Sequence, residues 1–216
     1  MSSKVLMMTA CNDGFLEMAV ALGRSVVYNT PYEFRLDILN PEKKGLRDNQ
    51  LRDYCANYRL EMFKELINPD NDNLDGVIWL DADSIVRADI PELAFFLKNY
   101  DTFATKTPEF KSPMNQWLIS TVGVANTQSG LRFIQEWDKC YQEIHARMYP
   151  SIMTIQLAYV TALEKSKDWV KVQDIGYTYS DKGMRASSPI WEGQGHRKWD
   201  DPFQTEMKRY SKRELQ

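Results

Sequence analysis

The chain has 216 residues, 43% of them hydrophobic, and no Gly/Ser/Pro-rich linker divides it, so one well-buried domain is predicted and two are not. A net charge of -3, with 27 Lys and Arg scattered among 30 Asp and Glu, gives no broad basic face and argues against a nucleic-acid partner. Cys11, Cys55 and Cys140 are odd in number and lack metal-ligand spacing, Met1 to Ala10 lacks the features of a signal peptide, and no stretch approaches membrane-spanning length. These points predict reduced thiols, no membrane span and a cytoplasmic location.

Lys4 to Ala10 reads as a first strand delivering the loop Cys11-Asn12-Asp13-Gly14, and Phe15 to Val27 as a helix with apolar residues at helical spacing. Phe34 to Asn40 alternates as a second strand. Gln50 to Ile67 reads as a long amphipathic helix ended by Asn68-Pro69. The apolar run Val77 to Leu80 predicts a buried strand, Ile90 to Leu97 a short helix, and Thr102 to Thr105 and Leu118 to Val124 further strands. Ser129 to Arg147 is predicted helical, with Leu131, Ile134, Trp137, Tyr141 and Ile144 on one stripe, a pattern of core packing. Ile152 to Glu164 reads as another helix, Val170 to Val172 as a strand, and Trp199 to Gln216 as a charged, partly helical tail. The expected division is a domain over residues 1–199 and a tail over 200–216, with an α/β fold.

The pair Asp81 and Asp83 stands where the Val77–Leu80 strand ends, the edge at which open α/β sheets place ligands. Residues i and i+2 of a strand point the same way, so both carboxylates can converge on one hard cation that also holds phosphate oxygens. The other Asp-x-Asp triplet, Asp70-Asn71-Asp72, has no strand before it and reads as a solvated turn. The calcium-loop reading of Asn71 to Gly76 fails because Ala82 stands where a bidentate Glu is needed. The plainer reading of Asp81 and Asp83 is a pair of turn and cap carboxylates before the helix at Pro91.

Taken in order, the strand–loop–helix start, the helix carrying Tyr58-Arg59-Leu60-Glu61-Met62-Phe63 and the Asp81-Ala82-Asp83 strand end resemble nucleotide-sugar glycosyltransferases of the GT-A fold. Val77 to Val86 followed by Ile90-Pro91-Glu92-Leu93 is similar to glycosyltransferase family 8, the galactosyltransferase and glycogenin group. The resemblance implies a single Rossmann-like GT-A domain, a mixed, mostly parallel sheet flanked by helices. It also implies a UDP-sugar donor, an acceptor hydroxyl on a glycan or another molecule, a retained anomeric configuration, and Mn²⁺ or Mg²⁺. Thr9, Ala10, Cys11, Asn12 and Asp13 match the segment that holds nucleobase and ribose, and Arg59 stands where a basic residue reaches the donor. With Asp81 and Ala82 these residues make up the implied donor site, which Thr121, Gly195, Arg197 and Lys198 complete.

The family ends in a His-x-x-Gly-x-x-Lys-like segment, matched here by Gly195 and Lys198, but Glu192 occupies the position of the metal-binding His. Either Glu192 is the third ligand or His196 takes that role from a shifted loop; His196 is favoured, in a Gly-rich basic loop of a chain with 2 His. The expected metal set is therefore Asp81, Asp83 and His196. Arg197 and Lys198 would neutralise the diphosphate leaving group. The family's Asp-Gln pair falls on Ile155-Gln156, so only Gln156 remains, near the anomeric carbon. Loops around 108–116 and 177–188 are expected to dock the acceptor, with Tyr177, Tyr179 and Trp191 as stacking rings, whose other reading is core packing. His145, inside a helix, reads as structural. A sugar-phosphate nucleotidyltransferase fits less well, since Cys11 to Gly14 is not its Gly-rich basic loop. A non-catalytic nucleotide-sugar or glycan-binding module is the remaining alternative.

Overall fold

A computed structural model describes residues 4–40, 48–71, 73–107, 117–147 and 152–212. In chain order the elements are β1 (Val5–Cys11), α1 (Leu16–Asn29), β2 (Glu33–Ile38), α2 (Asp48–Leu66), β3 (Gly76–Leu80), β4 (Ser84–Val86) and α3 (Pro91–Asn99). They continue as β5 (Thr102–Lys106), β6 (Trp117–Ala125), α4 (Gln128–His145), α5 (Ile152–Ser166), β7 (Val172–Asp174), β8 (Ile190–Glu192) and α6 (Asp201–Ser211). A six-stranded sheet runs β2-β1-β3-β6-β5-β7, in which β6 alone is antiparallel to its neighbours. The expected α/β fold with a mixed, mostly parallel sheet is what forms.

Strand β3 is buried at every residue, which is why its sequence is a continuous apolar run and not an alternation. Helices cover both faces. On one, Leu60 and Phe63 of α2, Phe133 and Trp137 of α4 and Tyr159 of α5 pack on Trp79 and Val122. On the other, Leu22 and Val26 of α1 and Leu93 and Leu97 of α3 pack on Met7, Ile78 and Leu80. Local chemistry fixes the boundaries: the Thr127 hydroxyl accepts from the Gly130 N–H at 3.0 Å to open α4, and Pro91 starts α3. Strand β7 begins later than the sequence suggests, because the Val170 N–H is used by the Ser166 carbonyl at 2.9 Å to close the end of α5.

Two features depart from the sequence reading. Strands β4 and β8 form a separate two-stranded antiparallel sheet, Ser84 opposite Glu192 and Val86 opposite Ile190. Three residues each are too few to show a period, and the partner lies more than a hundred positions away. The presumed tail is the helix α6, whose Phe203, Met207 and Tyr210 are buried against Met18 and Ala21 of α1 and Ile85 of β4. Those three apolar residues at i, i+4 and i+7 form the buried stripe, and the charges around them face water. Residues 201–211 are thus packed into the same body as residues before 199, and 213–216 lie outside the described residues.

Candidate active site

Parallel pairing of β1 with β3, Met8 beside Trp79, brings the C-terminal ends of both strands to one edge of the sheet. A cavity of about 440 Å³ opens there, within the usual range for a small-molecule site. Of the residues singled out from sequence, Ala10, Cys11 and Asn12 line it from the end of β1, Asp81, Ala82 and Asp83 from the end of β3. Arg59 of α2 and Gln156 of α5 complete that set. Asn12 Oδ1 is buried and without a hydrogen-bond partner, an acceptor oxygen available to a ligand N–H.

The geometry of the two aspartates differs from the strand picture. The strand stops at Leu80, and the Ser84 N–H donates to the Asp81 carbonyl at 3.0 Å, so both carboxylates sit on a tight turn. Strand alternation no longer aligns them, and each meets a different cation. Asp81 Oδ1 accepts from Arg59 Nη2 at 3.1 Å and from the Trp79 indole N–H at 2.9 Å. Asp83 Oδ2 lies 3.3 Å from the Lys198 ammonium. Burial, and then the charge of Asp81, push the Asp83 carboxyl up, while Lys198 pulls it down.

Arg59 is itself buried. Besides Asp81 it donates to the carbonyls of Ala56 and Ile119, and its guanidinium stands 5.2 Å from the Trp79 ring centroid. It is a positioning group for Asp81 at the cavity wall.

Lys198 is brought in by the turn Gly195–Trp199 after β8. Gly195 has φ +68°, the left-handed region that favours glycine. A Cβ on Gly193 would meet Lys198 Cβ at 2.7 Å and Phe203 at 3.0 Å, so only glycine lets this turn fold down beside β8. The Gly193 N–H donates to the Asp83 carbonyl at 2.7 Å, which ties the turn to the aspartate segment. His196 and Arg197 point elsewhere: His196 is exposed, and Arg197 donates to the Lys182 carbonyl at 2.6 Å.

The implied Mn²⁺ or Mg²⁺ therefore lacks its expected donor set. Among the described residues no group of three or more His, Cys, Asp or Glu side chains is arranged to hold a metal ion. His196 does not join Asp81 and Asp83, and the other candidate, Glu192, is engaged: Oε2 accepts from the Ser120 hydroxyl at 2.9 Å and from the Ser180 hydroxyl. Burial pushes the Glu192 carboxyl up to about 7, with Lys182 opposing, Asp81 adding, and the two serines opposing. Two carboxylates each paired with a cation, and a third bonded to hydroxyls, do not fit a divalent ion.

Other expectations are revised. Thr121 is buried at register with Leu80, and its neighbour Ser120 lines the cavity instead, because consecutive strand residues face opposite ways. Thr9 is buried inside β1, Asp13 is exposed on a 3-10 turn, and neither lines the cavity; nor do Gly195, Arg197 and Lys198, of which Lys198 stands behind the lining residues Asp83 and Phe15. Trp191 is buried with Arg87 stacked 3.8 Å from its ring centroid and its indole N–H on the Arg185 carbonyl, so it is not a sugar platform. Tyr177 and Tyr179 do not line the cavity. The loop 108–116 lies outside the described residues, as does Asp72, while Asp70 and Asn71 are exposed as expected. Phe15, Cys55, Met153 and Gln194 line the cavity without having been singled out, since no chemistry marks them in sequence. Cys11, Cys55 and Cys140 are not paired with one another; burial first, then Asp13 and Cys55, push the Cys11 thiol up to about 11, and burial raises Cys55. His145 stands outside the cavity lining, 3.3 Å from Asp53.

No protein-family model matches the sequence, and no curated protein does. Solved structures are similar in fold. The glycosyltransferase GlyE of Streptococcus pneumoniae TIGR4 superposes with TM-score 0.65 at 14% identity, over 99% of this chain and 61% of that one. The bifunctional glycosyltransferase WbbM gives 0.65 at 11% identity, over 98% of this chain and 50% of that one. The galactosyltransferase LgtC, solved with donor and acceptor sugar analogs, gives 0.63 at 13% identity over 95% of both chains. This chain spans less than two thirds of GlyE and of WbbM. The fold is that of GT-A glycosyltransferases.

Proposed function

From that fold, we propose that the chain transfers a sugar from a nucleoside-diphosphate sugar to an acceptor hydroxyl. The observation that carries the reading is the cavity at the C-terminal ends of β1 and β3, lined by Asn12, Gln156, Asp81 and Asp83, with the Lys198 ammonium 3.3 Å from Asp83. In the reaction the bond from the anomeric carbon to the outer phosphate oxygen breaks, and its electron pair stays on that oxygen. The acceptor oxygen bonds to the same carbon, and its proton passes to the departing phosphate. Negative charge builds on the diphosphate, so fixed positive charge beside it lowers the barrier.

The roles follow from that chemistry. Asn12 Oδ1, unpartnered, accepts from a nucleobase N–H, such as the imide of uracil. Lys198 receives the diphosphate, Asp81 and Asp83 orient the sugar and the ammonium, and Gln156 lies beside the anomeric carbon. A UDP donor and retained configuration are the form that the family 8 resemblance favours.

The test is a thermal-shift panel of UDP, GDP, CDP and dTDP, followed by assay of nucleoside diphosphate release from the matching sugars. One nucleotide should raise the melting temperature, and Asn12→Leu should remove most of the shift. No shift at millimolar nucleotide together with no release from any sugar would end the transferase reading.

A further inference from the structure

Asp81 and Asp83 pose an electrostatic problem of their own, because two carboxylates that line one cavity and repel each other need positive charge beside them. In this chain the charge comes from the protein. The Asp83 side chain is 14% exposed and Lys198 16%, so the pair is largely withdrawn from water. The ammonium lies 4.4 Å from the Phe15 ring centroid, a second favourable contact for a cation, and Phe15 lines the same cavity. Its backbone position is built: the Gly193–Asp83 hydrogen bond and the space left by the missing Gly193 Cβ bring the turn against the aspartate segment. Arg59 serves Asp81 in the same way. The residue that would complete a metal set, Glu192, gives Oε2 to two serine hydroxyls.

We infer that the Lys198 ammonium is the cation of this site, so that nucleoside diphosphate binding needs no divalent metal. The inference rests on the transferase reading and deepens it. An ammonium carries three N–H donors; one holds Asp83, and the phosphate oxygens of an arriving diphosphate take another. Asp83 then acts as a positioning residue that aims Lys198. The bond changes are those already given, with the electron pair left on the phosphate oxygen beside Lys198.

Calorimetric titration of the full chain with UDP, GDP, CDP and dTDP, in EDTA and separately in millimolar Mn²⁺, tests this. Electron paramagnetic resonance of Mn²⁺, with protein-free nucleotide as control, counts the bound ion. One nucleotide should bind with affinity equal within about threefold in EDTA and Mn²⁺, and the protein should retain no extra ion. Lys198→Met should weaken binding about tenfold to a hundredfold in both buffers, the usual range for a hydrogen bond to a charged group. Glu192→His restores the family's ligand type and should create Mn²⁺-dependent tightening that the wild type lacks.

Binding only with Mn²⁺, accompanied by loss of the free-ion signal, overturns the inference and leaves the transferase reading standing. Unchanged affinity in a folded Lys198→Met also overturns it. No nucleotide binding in either buffer overturns the inference, and together with no release from any sugar it overturns the transferase reading as well. Should Lys198→Met fail to fold, the comparison of EDTA with Mn²⁺ on the wild type still decides.

Discussion

Arg59 holds three oxygens at once, the Asp81 carboxylate and the carbonyls of Ala56 and Ile119, and only a forked guanidinium reaches all of them. Arg59→Lys keeps the charge but not the fork. We expect nucleotide affinity about tenfold weaker and stability lower by about 1–2 kcal/mol, read by calorimetry and urea denaturation; no change in either would remove Arg59 from the positioning role. Glu192 makes a pH prediction. Its folded-state carboxyl is raised from 4.5 to about 7, so the native state holds the proton more tightly than the unfolded chain. The associated stability is complete below the ordinary value and is lost as pH rises through about 7. Relative to Glu192→Gln, the wild type should lose about 3 kcal/mol across that window, measured by denaturation at a series of pH values. A difference that stays flat with pH would show that the carboxyl is not so perturbed.

At the scale of elements, α6 illustrates how a helix can hide among charges. Phe203 is fully buried beneath Met18 and Ile85. Phe203→Ala should cost about 3–5 kcal/mol, far more than truncation of a solvated tail could. Helices α2 and α4 are pinned together by Tyr141, whose hydroxyl donates to Asp53 at 2.9 Å and stands 3.4 Å from His145 Nδ1. Burial, and then Asp53, push the Tyr141 hydroxyl upward, keeping it a donor. Tyr141→Phe should destabilise by about 1–3 kcal/mol in urea denaturation, the cost of leaving a buried acceptor short of a donor. The β4–β8 pair has a different consequence. It fixes the distance between the aspartate turn and the Lys198 turn, so shortening either strand moves the cation relative to the carboxylates.

In the whole molecule β3 contributes to the clusters on both faces of the sheet and α1 to the second of these and to the cluster under α6, so the chain should unfold in one transition whether followed by tryptophan fluorescence or by circular dichroism. An early separate transition would restore the division at residue 199. The sequence by itself determined the elements that carry strong periodicity or continuous apolar runs: β1, β3 and α4, with the cavity residues Asn12, Asp81 and Asp83 at the strand ends. Those features are local, because burial on both faces or along one stripe writes itself into neighbouring residues. Which way a carboxylate points once the strand gives way to a turn is not local. Nor is the choice of Ser120 over Thr121, which needs the register of β6, or the meeting of Glu192 with Ser120 and Ser180 across long sequence separations. The tertiary structure alone decided that Lys198, and not His196 two positions earlier, reaches Asp83. A three-residue strand pairing, a left-handed glycine and a missing Cβ at Gly193 set that choice, and none of them leaves a periodic trace in sequence.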